Sequence, residues 1–280
     1  MTLAANQLGP ETQQPRRLSP SEAQALQKTF EAQGYAVLEN VVSKERLAAL
    51  AAQIREEFDR ARSGGALFSG GGLMAGHLNC FPGAGSRFAY DALLDAGVVD
   101  LIRQIMPKAA GQPNVGCNFN LPGSVTQHYH VDRPYTWDFM IANVAVVDTE
   151  IANGAIELAP GSHRKFYKFW RFAIERPHRN AVRVPMKQGD VLIRTSNLWH
   201  RGMPNLTGVA RPMLAFTWED GGSTQPDPFG VEGGKIAFRP NWYRPNLLGR
   251  LRERTFIAAP ITYSAYRFAR SLFGTKGYDS

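Results

Sequence analysis

From Val115 to Trp218 the sequence reads as short strands separated by turns, whereas most of the chain before it reads as helices. Helices followed by a run of short strands point to an α+β chain rather than a bundle or an alternating α/β sheet. The helical part has clear boundaries. Ser19-Pro20-Ser21-Glu22 is a capping box with proline at the first helical position, and the helix it opens should run to Gly34. Tyr35–Leu38 reads as a short strand. Ser43 caps a second helix, whose apolar stripe is Leu47, Leu50, Ile54 and Phe58. A third helical region spans Arg87–Met106, with a break near Gly97. The expected organisation is a flexible tail over residues 1–18 and one domain over 19–280. That domain would hold a helical part to about 110, a strand core over about 115–220 and a basic C-terminal extension over 221–280.

Within the strand region one spacing carries chemistry. His130-Val131-Asp132 lies in the stretch Thr126–Asp132, which reads as a strand running into a turn at Arg133-Pro134. Side chains two apart on a strand share a face, so His130 and Asp132 point the same way. Gly189–Arg194 reads as a second strand ending near His200, and a polar turn over 203–210 leads to a return strand that starts at Arg211. Two imidazoles and one carboxylate suit one face of an octahedral Fe(II) ion, and a fixed guanidinium suits a carboxylate ligand. Other readings of the same residues stand beside this one. A His-x-Asp pattern recurs by chance, His200 before a turn can be a hydrogen-bonded surface residue, and His128, His130 and His200 make a zinc-type set.

Three segments resemble the phytanoyl-CoA dioxygenase family of Fe(II)/2-oxoglutarate oxygenases. They are Asn120-Leu121-Pro122-Gly123 followed by Gln127-x-x-His130-x-Asp132; Asn153-Gly154 through Pro160-Gly161-Ser162-His163; and Gly189-Asp190 leading to His200 and Arg211. The resemblance covers roughly residues 22 to 220. It implies a double-stranded β-helix, a jelly-roll barrel with the N-terminal helices packed on one sheet. It also implies that His130, Asp132 and His200 hold Fe(II), that 2-oxoglutarate and O2 are co-substrates, and that Arg211 clamps the distal carboxylate of 2-oxoglutarate. Asn120, Gln127 and Asn143 are further candidate co-substrate contacts. Asn120 and Asn143 fall where the family places inward polar groups, and Asn143 is an amide in an apolar run that needs a partner. Related halogenases carry a small residue at the carboxylate position. Asp132 is present here, so the resemblance implies hydroxylation of an aliphatic carbon, with desaturation or epimerisation open on the same centre. His163 is read as a turn residue and His128 as a pocket residue.

Charge narrows the partners. Residues 1–163 carry 12 basic and 16 acidic groups, whereas residues 164–280 carry 20 and 8. The positive half suits a small-molecule or lipid-like substrate that is anionic or carrier-linked. No nucleic-acid recognition motif accompanies it. The competing class is a non-catalytic barrel that binds an anionic partner or membrane surface. Ile261, Ala265, Phe268 and Leu272 keep helical spacing in a basic segment, and covering the barrel is favoured over lying on a membrane. Two loops are expected to shape the pocket: the glycine-rich stretch 63–85, as a lid, and 163–187, where aromatic and basic residues alternate. The latter is also readable as a helix that packs its aromatics on the barrel. Two cysteines, no long apolar run and no leader-like start lead to an expected cytoplasmic location.

Overall fold

A computed structural model describes residues 17–65, 72–219, 223, 226–239 and 246–273. All but the last two residues of the expected tail, and part of the glycine-rich stretch, lie outside the described residues. The chain opens with α1 (Pro20–Gln33), β1 (Tyr35–Leu38), α2 (Lys44–Ser63) and β2 (His77–Pro82), followed by α3 (Arg87–Asp95) and α4 (Val98–Ile105). Then come β3 (Asn114–Asn120), β4 (Phe139–Ala145), β5 (Glu157–Leu158), α5 (Phe169–Glu175), β6 (Val182–Arg183), β7 (Val191–Thr195), β8 (His200–Arg201) and β9 (Arg211–Glu219). It closes with β10 (Ile236–Arg239), α6 (Leu247–Ala258) and α7 (Pro260–Leu272). The capping box at Ser19 forms in full, and Ser43 Oγ accepts from the Arg46 amide at the start of α2.

Two antiparallel sheets carry the strands. The large one has the order β1-β7-β4-β9-β3-β2-β10, and the small one β6-β5-β8. Alternation along the large sheet sorts its two faces. Cys117, Phe119, Ala142, Val144, Val191, Ile193, Leu214, Phe216 and Trp218 join Leu47, Leu50, Ile54, Phe58 and the α3–α4 side chains in one core. Fully burying an aliphatic or aromatic side chain of this kind is worth roughly 1.5–3 kcal/mol, so this layer sets the frame. The alternate residues face the small sheet. Leu192, Met213 and Ala145 pack there with Leu158 and Met186. The same parity aims Asn120, Asn143, Arg194 and Arg211 into the space between the sheets.

Several expectations need correction. Thr126–Asp132 is extended but not a strand: its one ladder contact is a single antiparallel bridge between His130 and His200. The strand leading to His200 is two elements. β7 belongs to the large sheet, the turn over 196–199 crosses the gap, and β8 belongs to the small one. Arg211 therefore approaches His200 from the opposite sheet, not from a neighbouring strand. The stretch expected as a lid contains β2, an interior strand of the large sheet between β3 and β10. Within 163–187 the helical reading holds: α5 buries Phe169 and Phe172 against Trp199 and leaves Arg171 exposed.

α7 is the largest departure. Ile261 is 75% and Leu272 52% exposed, whereas Arg267 and Ser271 are buried. Arg267 stacks over the Phe169 ring at 4.0 Å and donates from Nη1 to the Tyr129 carbonyl at 2.7 Å. Ser271 Oγ accepts from the Trp170 amide at 2.8 Å. The polar groups dock the helix, and of the apolar stripe Ile261 and Leu272 are left facing outward while Phe268 packs half-buried against the cluster of Phe169, Phe172 and Trp199. Among the described residues no helix is long and apolar enough to cross a membrane.

Candidate metal centre

His130, Asp132 and His200 each offer one ligand atom, and these atoms lie within 4.8 Å of one another. The backbone brings them together. The His130 amide donates to the His200 carbonyl at 2.9 Å, and the His200 amide returns the bond at 3.0 Å. The Asp132 amide donates to the Ser196 carbonyl at 3.2 Å. Asp132 Oδ1 then stands 3.5 Å from His200 Nε2 and 4.0 Å from His130 Nε2.

The ring orientations fit a metal. His130 Nδ1 lies 2.8 Å from the His128 carbonyl, and His200 Nδ1 lies 2.9 Å from the Leu198 carbonyl. A carbonyl only accepts, so each Nδ1 must carry the proton and each Nε2 presents a lone pair to the shared centre. This is the outer hydrogen bonding that orients ligating histidines. Burial, then the neighbouring His200, pulls His130 down to about 3, so it stays neutral at physiological pH. Burial pushes Asp132 upward, but Arg194 and the two imidazoles outweigh it and hold the carboxyl well below its usual range. A neutral, neutral, anionic donor set suits a divalent cation.

The large sheet supplies the opposite wall of a cavity of about 300 Å³ that also holds the triad. Arg211, the first residue of β9, is buried; its Nε donates to the Asn153 carbonyl at 3.3 Å and its Nη1 is buried with no partner. Burial lowers it only to about 10, so it remains a cation. A buried guanidinium nitrogen with no acceptor is costly, and an anionic ligand would satisfy it. Asn120 pairs with Arg211 across β3 and β9, donates from Nδ2 to the Met203 carbonyl at 3.1 Å, and leaves Oδ1 without a partner. Its approach depends on Gly154, at φ +89, because a Cβ there would lie 2.6 Å from Asn120 Nδ2 and from the Met203 carbonyl oxygen. Asn143 lies on β4 at the same wall. Gln127 lines the cavity too, but its Oε1 accepts from the Gly202 amide at 3.0 Å. It ties the His130 segment to the chain just past His200.

Arg194 is the residue that sequence reasoning missed. It is buried on β7, its Nη1 donates to Asp132 Oδ2 at 2.6 Å, and its Nε donates to Asn143 Oδ1 at 3.3 Å. Asp132 thus gives one oxygen to arginine and turns the other toward the imidazoles. The signal was present: an arginine in an apolar strand, two residues from Leu192 and therefore on the cavity face. The remaining histidines fall outside the triad. His77 is buried and bonds the Val125 carbonyl at 2.7 Å. His128 turns its Nδ1 to Ser264 Oγ at 3.3 Å, away from the ligand atoms that a zinc set would need. His178 stacks on Phe172, and His163 lies in a short turn of 3-10 helix, as expected.

Two imidazoles and one carboxylate, set between antiparallel sheets opposite a buried arginine, define the class of 2-His-1-carboxylate non-haem metal proteins. The chain belongs to the phytanoyl-CoA dioxygenase family, whose model matches residues 30–213, more than half of its length. Solved structures share the fold. AviO1 from Streptomyces viridochromogenes Tue57 aligns at 21% identity and TM-score 0.55, covering 75% of this chain and 99% of that one. HygX from Streptomyces hygroscopicus, with nickel and 2-oxoglutarate bound, aligns at 16% and 0.53, covering 72% and 87%. The non-heme alpha ketoglutarate dependent carbocyclase SnoK from nogalamycin biosynthesis aligns at 16% and 0.52, covering 79% and 96%.

Proposed function

We propose that this protein is an Fe(II)/2-oxoglutarate-dependent dioxygenase that hydroxylates an aliphatic carbon of a small-molecule substrate. The observation that carries the reading is the convergence of His130 Nε2, Asp132 Oδ1 and His200 Nε2, with both Nδ1 protons fixed on carbonyls. The family membership and the 2-oxoglutarate-binding neighbour support it. On this reading the two sheets are the two halves of a double-stranded β-helix. His130, Asp132 and His200 hold the iron, and Arg211 takes the distal carboxylate of 2-oxoglutarate, with Asn120 and Asn143 beside it. Gln127 sits at the same cavity but acts through Gly202 as a brace.

Iron with 2-oxoglutarate and dioxygen supplies an oxidant strong enough for an unactivated C–H bond, and yields succinate and carbon dioxide. The chain supplies placement. Arg194 keeps Asp132 ionised and turned toward the imidazoles. Arg211, itself buried, offsets the co-substrate's negative charge. No side chain need act as nucleophile or general base.

The test is succinate release on adding Fe(II), 2-oxoglutarate and a metabolite library aerobically, compared with Asp132→Ala. Succinate from the native chain alone, with a product gaining one oxygen from O2, is the expected result. Succinate formation that Asp132→Ala leaves unchanged would remove the triad from the mechanism. A product that has lost hydrogen or changed configuration without gaining oxygen would keep the metal centre and overturn hydroxylation.

A further inference from the structure

Beyond the metal cavity lies a larger cleft of about 1060 Å³, between α5, α6, α7 and the segment before His130. It exceeds the volume of most small-molecule sites, which run to roughly 1,000 Å³. Its walls are apolar and rich in rings: Phe169, Phe172, Phe256 and Phe268, with Ile261 and Ala265. Of the three on α7, Ile261 and Ala265 are exposed, and Phe268 packs half-buried against the cluster of Phe169, Phe172 and Trp199. Gln127 and His128 line both the cleft and the metal cavity, so the two spaces adjoin. The family match ends at residue 213, and α6 and α7 lie beyond it.

Several polar side chains line the cleft, but few of them are charged. Among the described residues its lining holds Arg176 and Arg201 and no carboxylate. Arg201 is already bonded to Glu157 at 2.6 Å, whereas Arg176 is exposed at the rim. At the inner end, His128 Nε2 is buried with no hydrogen-bond partner, while its Nδ1 is held by Ser264 of α7. An imidazole nitrogen in that state fits a ligand's polar atom.

We propose that this cleft is the substrate chamber and that it takes an organic anion with an apolar, ring-bearing body. The rings stack among the phenylalanines of α5 and α7, the anionic group meets Arg176, and the reacting end passes His128 to the metal. The proposal rests on the metal-centre reading above.

Anilinonaphthalene sulfonate, which combines aromatic rings with an anion, is a direct probe. It should bind the intact chain with a rise in fluorescence. Ala173→Trp and Ala265→Trp fill opposite walls at positions that reach solvent, and each should weaken binding by more than about tenfold. Mn(II) bound at the triad should broaden the probe's ring protons and keep its own affinity, read by electron paramagnetic resonance, in both variants. The neutral analogue phenylnaphthylamine should bind more weakly than the sulfonate, and Arg176→Gln should erase that difference. Unchanged probe affinity in both tryptophan variants, or sharp probe lines with Mn(II) bound, overturns the chamber. Equal binding of the two probes overturns its preference for anions. Failure of the native chain to bind Mn(II) instead overturns the metal centre, and the affinity series still decides the cleft.

Discussion

The large and small sheets are built to different standards. β4 and β9 run seven and nine residues, and every residue of β4 is buried. β5, β6 and β8 have two residues each, and the His130–Asp132 segment adds a single bridge. Arg211, Asn120, Asn143 and Arg194 stand on the strong sheet, whereas of the three proposed ligands only His200 stands in a strand of the weak one, with His130 bridged to it and Asp132 held by the Ser196 carbonyl. The lesson is that a lightly built lip can hold a metal site if its ligands are braced from elsewhere. Here the braces are the paired His130–His200 backbone bonds, Gln127 on Gly202, and Arg194 reaching across to Asp132.

This contrast predicts that the two walls fail separately. Asp132→Ala should abolish turnover and lower Mn(II) affinity by more than about 100-fold, since even outer-shell changes cost 10–100-fold. It should leave Arg211 and its wall intact. Arg211→Met should do the reverse: Mn(II) affinity holds in a titration, while 2-oxoglutarate binding weakens by about 2–5 kcal/mol, measured by calorimetry on Mn(II)-loaded protein. Parallel losses of metal and co-substrate in both variants would break the division between the sheets.

Arg194→Gln tests the bridge. It stands on the strong sheet, yet it should lower metal affinity by roughly 10–100-fold, and it should also lower the melting temperature of the metal-free protein because it breaks the pair with Asp132. An effect on melting alone would make Arg194 merely structural. Acid should act on histidines of both walls. His77 sits at about 4 and His130 at about 3, both pulled down by burial from an ordinary 6.5. The unfolded chain therefore binds more protons below pH 6.5, and stability present above that value is lost as pH falls toward 4. His77→Gln should make the apo-protein's stability slope shallower by about one proton, ~1.4 kcal/mol per pH unit. The smallest effect is expected from Gly202→Ala. Its Cβ would lie 2.7 Å from Gln127 Oε1, the movable end of a side chain, so a loss of about 1 kcal/mol and a melting shift of about 2–4 °C are expected.

How much of this could be read from residues alone depends on range. Caps and stripes are local, so α1, α2 and the break between α3 and α4 are legible. The triad is legible because parity and order survive even though Thr126–Asp132 never becomes a strand. What is not legible is set by distant partners. Nothing within Ser196-Asn197-Leu198-Trp199 says that the chain changes sheets there. The docking side of α7 is hidden because Arg267 and Ser271 are buried by groups about a hundred residues away or more, Trp170 and Tyr129. Apolar spacing names a face that could be buried; it does not say which face finds the better partner.

Gly154 has no side chain to offer chemistry, yet it leaves the room that Asn120 Nδ2 and the Met203 carbonyl occupy beside it. Its backbone angle and the two atoms in the way of a Cβ both bar any larger residue. In a saturation library scored for co-substrate use, position 154 should therefore tolerate fewer replacements than position 127, where a whole glutamine is on display.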